Sequence, residues 1–96
     1  MIIEAPYKAG DTVTIKTTAG EEILGRFVEE NDKAVTVNKP MTLMQTQQGI
    51  GLGPFAFTVD PQSKIALNKS AVLFVHKTEK SMADQYIQST SGLTVV

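Results

Sequence analysis

Gly10-Asp11-Thr12-Val13-Thr14-Ile15-Lys16-Thr17-Thr18-Ala19-Gly20-Glu21-Glu22-Ile23-Leu24-Gly25-Arg26-Phe27 is the stretch that decides the fold, and it continues through Asn31-Asp32 to Lys33-Ala34-Val35-Thr36-Val37-Asn38. Val13 and Ile15 alternate with Thr12, Thr14 and Lys16. That period of two, rich in β-branched residues, predicts a strand with one buried and one wet face. Ala19-Gly20 is a turn signal, since glycine takes a positive φ without penalty. A second strand is expected from Glu21 to Glu30, with Ile23 and Phe27 on the core side of Gly25. A glycine inside a strand marks a bend or a close backbone approach. Asn31-Asp32 turns the chain into a third strand from Lys33, with Val35 and Val37 inward and Ala34, Thr36 and Asn38 outward.

On the N-terminal side, residues 1–9 show no sustained period, and Pro6 argues against a helix, so an extended arm is expected. On the C-terminal side, Pro40 is expected to end regular central pairing or to confine the residues after it to an edge. Gln45 to Pro54, polar and then glycine-rich, is expected to be a mobile or interface loop. A fourth strand is expected to carry Phe55, Phe57 and Val59 on one face. Asp60-Pro61-Gln62-Ser63 reads as a turn or an interruption, after which Ile65 and Leu67 resume the alternation. Asn68-Lys69-Ser70 turns again into Ala71-Val72-Leu73-Phe74-Val75. So continuous an apolar run suits a strand buried on both faces, or one that pairs with another subunit. One helix is expected from Ser81 to about Ser91 on the stripe Met82, Ala83, Tyr86 and Ile87. Either Ser81 with Asp84 or an earlier Thr78 would cap it, and Gly92 would stop it.

The chain has 96 residues, 42% apolar and 20% charged, with net charge −1 and no cysteine. These values predict one domain: arm 1–9, barrel 10–77, helix and tail 78–96. They exclude a disulfide framework and a thiolate metal site. No segment resembles a signal peptide and no apolar run reaches membrane-spanning length, so the expected compartment is cytoplasmic, with no membrane partner. A near-neutral charge gives no global field for phosphate backbones, so nucleic-acid binding would need a local patch multiplied by assembly.

Catalytic signals are absent. His76, the one histidine, ends the apolar strand without a nucleophile or orienting partner near it in sequence. Glu21, Glu22, Glu29, Glu30 and Asp32 flank turns without calcium-loop spacing and read as a solvated rim. Gly49-Ile50-Gly51-Leu52-Gly53 precedes Pro54 rather than a helix, so it is not a phosphate cradle. No metal, cofactor or catalytic residue is therefore expected. Lys33, Lys39 and Lys69 could form a basic collar if copied around a ring, against the plainer reading of scattered solvated lysines.

Five short strands with a glycine bend in the second resemble the Sm/LSm family, the superfamily that includes bacterial Hfq. The likeness covers residues 10 to 38, about a third of the chain. It implies a mainly β fold: a small five-stranded, strongly bent antiparallel Sm-like (SH3-like) barrel, here with a C-terminal helix in place of the family's N-terminal one. An unrelated SH3-like or OB-like barrel is the alternative fold. The family's base pocket uses Asp and then Met-Asn. In this chain Asp32 matches, Val35 stands for Met, Thr36 stands for Asn, and Ala34 replaces the usual stacking ring. Ile65 to Ser70 lies where the family has Arg-Gly, without that pair.

The resemblance implies single-strand RNA contacts from Asp32, Lys33, Thr36, Asn38, Asn68 and Lys69. It also implies a homo-oligomeric ring of about five to seven subunits, closed head to tail. The interface would use Phe57, Val59, Ala71, Val72, Leu73, Phe74 and Val75. The expected function is a non-catalytic ring with weak or altered RNA recognition. The alternative is a structural or assembly ring, such as a phage or accessory-complex component, that binds no nucleic acid.

Overall fold

The computed structural model describes residues 7–56 and 58–90. Alternation builds the first two strands where the sequence places them: β1 over Thr12–Thr17 and β2 over Glu22–Glu30. They pair antiparallel, Ile15 opposite Ile23 and Val13 opposite Gly25. β3 runs over Ala34–Thr46, β4 over Gly49–Pro54, β5 over Lys64–Asn68 and β6 over Val72–Lys77. All six strands form one curled antiparallel sheet in the order β4-β3-β2-β1-β6, with β5 also on β3. The core lies inside the curl: Val13, Ile15, Ile23, Phe27, Val35 and Val37 are buried together, with Phe55, Leu67, Val72 and Val75 against them.

Gly25 sits at the tightest point. The β2–β3 register shifts between Leu24 and Arg26, and a Cβ on Gly25 would fall 2.9 Å from Val37 Cβ. The bend is therefore a close approach of two strands that only glycine permits.

Three expectations need correction. First, β3 does not stop at Pro40. The chain crosses a bulge there, with Lys39 at φ 53°, and β3 then continues to pair with β4. Proline has no N–H to donate, and a bulge is where a strand tolerates that. Second, Gln45 to Pro54 is not a loop: it holds the end of β3, the turn Gln47-Gln48 and β4, the second arm of a hairpin with Thr46 opposite Gly49. Its glycines face Thr42, Met44 and Thr46, and their lack of side chains lets Met44 lie across the strand. Third, Phe55, Ala56, Thr58 and Val59 form no strand, and Phe57 lies outside the described residues. β4 instead forms earlier, inside the expected loop, and β5 forms where Ile65 and Leu67 resume the alternation, giving six strands rather than five.

Lys69–Ala71 forms a single 3-10 turn, with the Asn68 side chain accepting from the Ser70 amide. The helix α1 spans Lys80–Thr90. Its cap is neither Ser81 nor Thr78: the Glu79 carboxylate accepts from the Ser81 and Met82 amides, and Thr78 Oγ1 pairs with Thr14 Oγ1 at 2.8 Å. Tyr86 is fully buried, and its hydroxyl donates to the carbonyls of Asn38 and Lys39 at 3.1 and 2.7 Å, clamping the β3 bulge. Gly92 and the apolar tail lie outside the described residues. No described helix is long and apolar enough to cross a membrane.

Candidate functional site

Two turns meet at one end of the sheet. Asn31 builds the first, its Oδ1 accepting from the Lys33 and Ala34 amides at 2.8 and 2.9 Å. The second is the 3-10 turn after β5. Pairing of Ala34 with Asn68 brings the two side by side, and the Lys69 amide donates to the Lys33 carbonyl at 2.8 Å. Lys33, Asn68 and Lys69 therefore form one cluster, with Asp32 exposed at its tip.

Thr36 stands one step further along the outer face of β3, opposite Ala66. Asn38 does not join the cluster. It lies opposite Lys64 at the far end of the ladder, about 13 Å from Ala34 by strand rise, and its carbonyl is held by Tyr86. Within one chain the three lysines are not equally free. Lys39 Nζ donates to the Thr90 carbonyl at the end of α1, 3.2 Å away. Lys69 Nζ is 2.9 Å from Glu30 Oε2. Only Lys33 of the three is exposed with no ion pair or hydrogen bond of its side chain among the described residues.

The sequence puts Glu30 on a solvated rim and Tyr7 in an extended arm, and gives neither a role at this site. The Tyr7 hydroxyl donates to Glu30 Oε1, and the Tyr7 ring packs edge-on against Phe27 with centroids 4.8 Å apart. The Tyr7 hydroxyl bond, with the Lys69 ammonium, holds the Glu30 carboxyl below its ordinary range. Burial, with the adjacent carboxylate, pushes the Tyr7 phenol up to about 12. These partners lie 23 and 39 residues from Glu30 in sequence, so no local pattern signals them.

The second candidate feature is the pair of free sheet margins. β6 pairs with β1 on one side only, and among the described residues its other edge has no partner. It is not buried on both faces: Val72 and Val75 turn inward, whereas Leu73 is 62% and Phe74 51% exposed. A register shift between Lys16 and Thr17 falls opposite this pair. Ala71 belongs to the 3-10 turn rather than the strand. At the opposite margin β4 and β5 each pair only with β3, and Val59 is exposed on the segment between them. A cleft of about 240 Å³ lies beside that segment, lined by Met41, Pro54, Phe55, Val59, Pro61 and Ile65. His76 is exposed, with Nδ1 2.8 Å from the Lys77 carbonyl. Among the described residues no group of three or more His, Asp or Glu is placed to hold a metal ion.

No protein-family profile matches the sequence, and no curated protein is significantly similar to it. Among solved structures, a heptameric archaeal Sm protein is similar, at 13% identity over 73% of this chain and 88% of that chain, with a TM-score of 0.51. The likeness is one of fold, and this chain presents it as a curled antiparallel sheet of strongly bent strands with the C-terminal helix α1. This chain has an Sm-like fold.

Proposed function

We propose that the protein is a non-catalytic, ring-forming Sm-like module, with residues 10–77 as the ring-building barrel, that associates weakly with single-stranded RNA. The observation that carries this reading is the free apolar edge of β6. Over Val72 to Val75 this unpaired edge carries no charge or proline to blunt it and so invites another strand, and the opposite margin of the same sheet offers β4 and β5. Joining one margin to the other of a second copy is a head-to-tail contact, which closes into a ring when the rotation closes. Burying Leu73 and Phe74 would contribute roughly 2–3 kcal/mol per interface before backbone pairing is counted. The archaeal Sm protein of the same fold is a heptamer.

The RNA part of the reading rests on the cluster of Asp32, Lys33, Asn68 and Lys69, with Thr36 beside it. Ala34 offers no stacking platform, which removes about 1–3 kcal/mol per base, so affinity is modest and strongly salt-dependent. Pairing of Lys69 with Glu30 favours a second reading, an assembly ring without nucleic acid. Binding of a short oligouridylate separates the two.

The mass in solution tests the ring. Sedimentation at micromolar concentration should give a closed homo-oligomer, and Leu73→Lys should dissociate it. A well-behaved monomer of the unmodified protein would overturn the proposal.

A further inference from the structure

The cluster at the end of the sheet contains its own competitor for an anion. Glu30 Oε2 lies 2.9 Å from Lys69 Nζ, and the two side chains are 31% and 35% exposed, so the pair is reachable from solvent. Its other oxygen accepts the Tyr7 hydroxyl, and Tyr7 is anchored on Phe27 in the wall of the core. The Lys69 amide is tied to Lys33, so the ammonium is presented from a fixed turn. Glu29, the chain neighbour of Glu30, and Asp32 and Lys33 of the paired turn are all exposed and outside any ion pair among the described residues.

We propose that Glu30 is an autoinhibitory latch that withholds the Lys69 ammonium from the phosphates of a single-stranded RNA. The inference rests on the RNA reading above and deepens it. A phosphodiester needs the same donor that the carboxylate occupies. The carboxylate is covalently part of the chain and held in place by Tyr7, so it competes without an encounter step. A partly exposed ion pair is weak, so the latch tunes affinity and does not abolish it. With Lys69 occupied, Lys33 is the one exposed cation of the cluster free to meet a phosphate.

Binding of a short oligouridylate, monitored by fluorescence anisotropy over a series of salt concentrations, tests the latch. Glu30→Gln should bind about two- to fivefold tighter per engaged subunit, the span of an exposed ion pair. Its plot of log K against log salt should steepen by about 0.7 for each phosphate gained. Glu29→Gln removes the same charge one residue away without touching Lys69 and should not reproduce the gain. Tyr7→Phe leaves the charge unchanged but frees the carboxylate, and should give a smaller gain in the same direction. Adding Lys69→Ala to Glu30→Gln should return binding to the parental level. The latch is overturned if Glu30→Gln binds no tighter than the parent, or if Glu29→Gln matches it. All latch residues lie in one chain, so the gain is read whether or not the ring forms, and sedimentation reports the ring separately.

Discussion

Gly25 in β2 and Gly53 in β4 present the same local geometry in opposite settings. A Cβ on Gly25 would lie 2.9 Å from Val37 Cβ and 3.0 Å from its Cγ2. Val37 is fully buried, and its Cβ is fixed to the β3 backbone, so the clash is relieved only by moving a paired strand. A Cβ on Gly53 would come nearer still, 2.4 Å from Met44 Cε. Yet Met44 is 46% exposed, and its thioether end can swing into solvent about three rotatable bonds. The shorter distance is the cheaper one. What stands behind the contacted atom, packed core or open water, decides the cost.

The largest effect should appear at Gly25. Gly25→Val inserts a branched side chain between β1, β2 and β3 and should cost about 1–3 kcal/mol through overpacking and strain. For a domain of this size that lowers the thermal midpoint by about 4–8 °C per kcal/mol. A midpoint equal to the parent's would break the comparison, because it would mean that the curl of the sheet has slack at its tightest point.

The helix clamp should come second. Tyr86→Phe keeps the ring but strips the carbonyls of Asn38 and Lys39 of their shared donor at a bulge where Lys39 has a positive φ. Unsatisfied buried acceptors cost about 1–2 kcal/mol here. The pH dependence supplies a separate check. Burial raises the Tyr86 phenol from 10.0 to about 12. A raised folded-state value stabilises fully below pH 10, and that contribution is lost as pH rises through about 12. Chemical denaturation across that window should show a steeper decline in the parent than in Tyr86→Phe. Tyr7, also raised to about 12, contributes the same sign in both proteins.

The contrast between the two glycines also explains what was legible in the sequence. Residues 10 to 38 could be read because Val13 with Ile15 and Val35 with Val37 alternate cleanly, and Gly25 falls midway between Ile23 and Phe27 inside a strand. The hairpin hid itself. Gly49, Gly51 and Gly53 look like loop punctuation, but alternate with Ile50, Leu52 and Pro54 at the same period of two as any strand. The signal that could have found β4 was the match of that alternation to Met41, Leu43 and Gln45 across a two-residue turn. Phe55 misled in the other direction. Its apolar ring is needed by the core, yet it packs there from irregular backbone between Pro54 and Pro61. At the candidate site, the juxtaposition of the two turns came from the family resemblance, not from spacing. The neutralisation of Lys69 was invisible because Glu30 looked like one more rim carboxylate.

The smallest effect should be at Gly53, and it tests the principle most sharply because the bare distance predicts the opposite order. Gly53→Ala places a methyl where Met44 Cε now lies. The side chain has an open face to rotate toward, and Met44 stands opposite Gly51, itself without a side chain. Its rearrangement forfeits contacts across a half-wet hairpin and nothing in the buried cluster of Val13, Ile15, Ile23, Val35 and Val37. Replacing glycine by alanine also reduces the freedom of the unfolded chain, which favours folding by about 0.4–1 kcal/mol where the backbone is compatible. Gly53 is not among the positive-φ residues, so that gain is available to it. The two terms nearly offset, and the net change should stay within about 0.5 kcal/mol of the parent, read as an unshifted denaturation midpoint. A loss as large as that of Gly25→Val would show that Met44 is as firmly held as Val37, with the hairpin serving as an extension of the core.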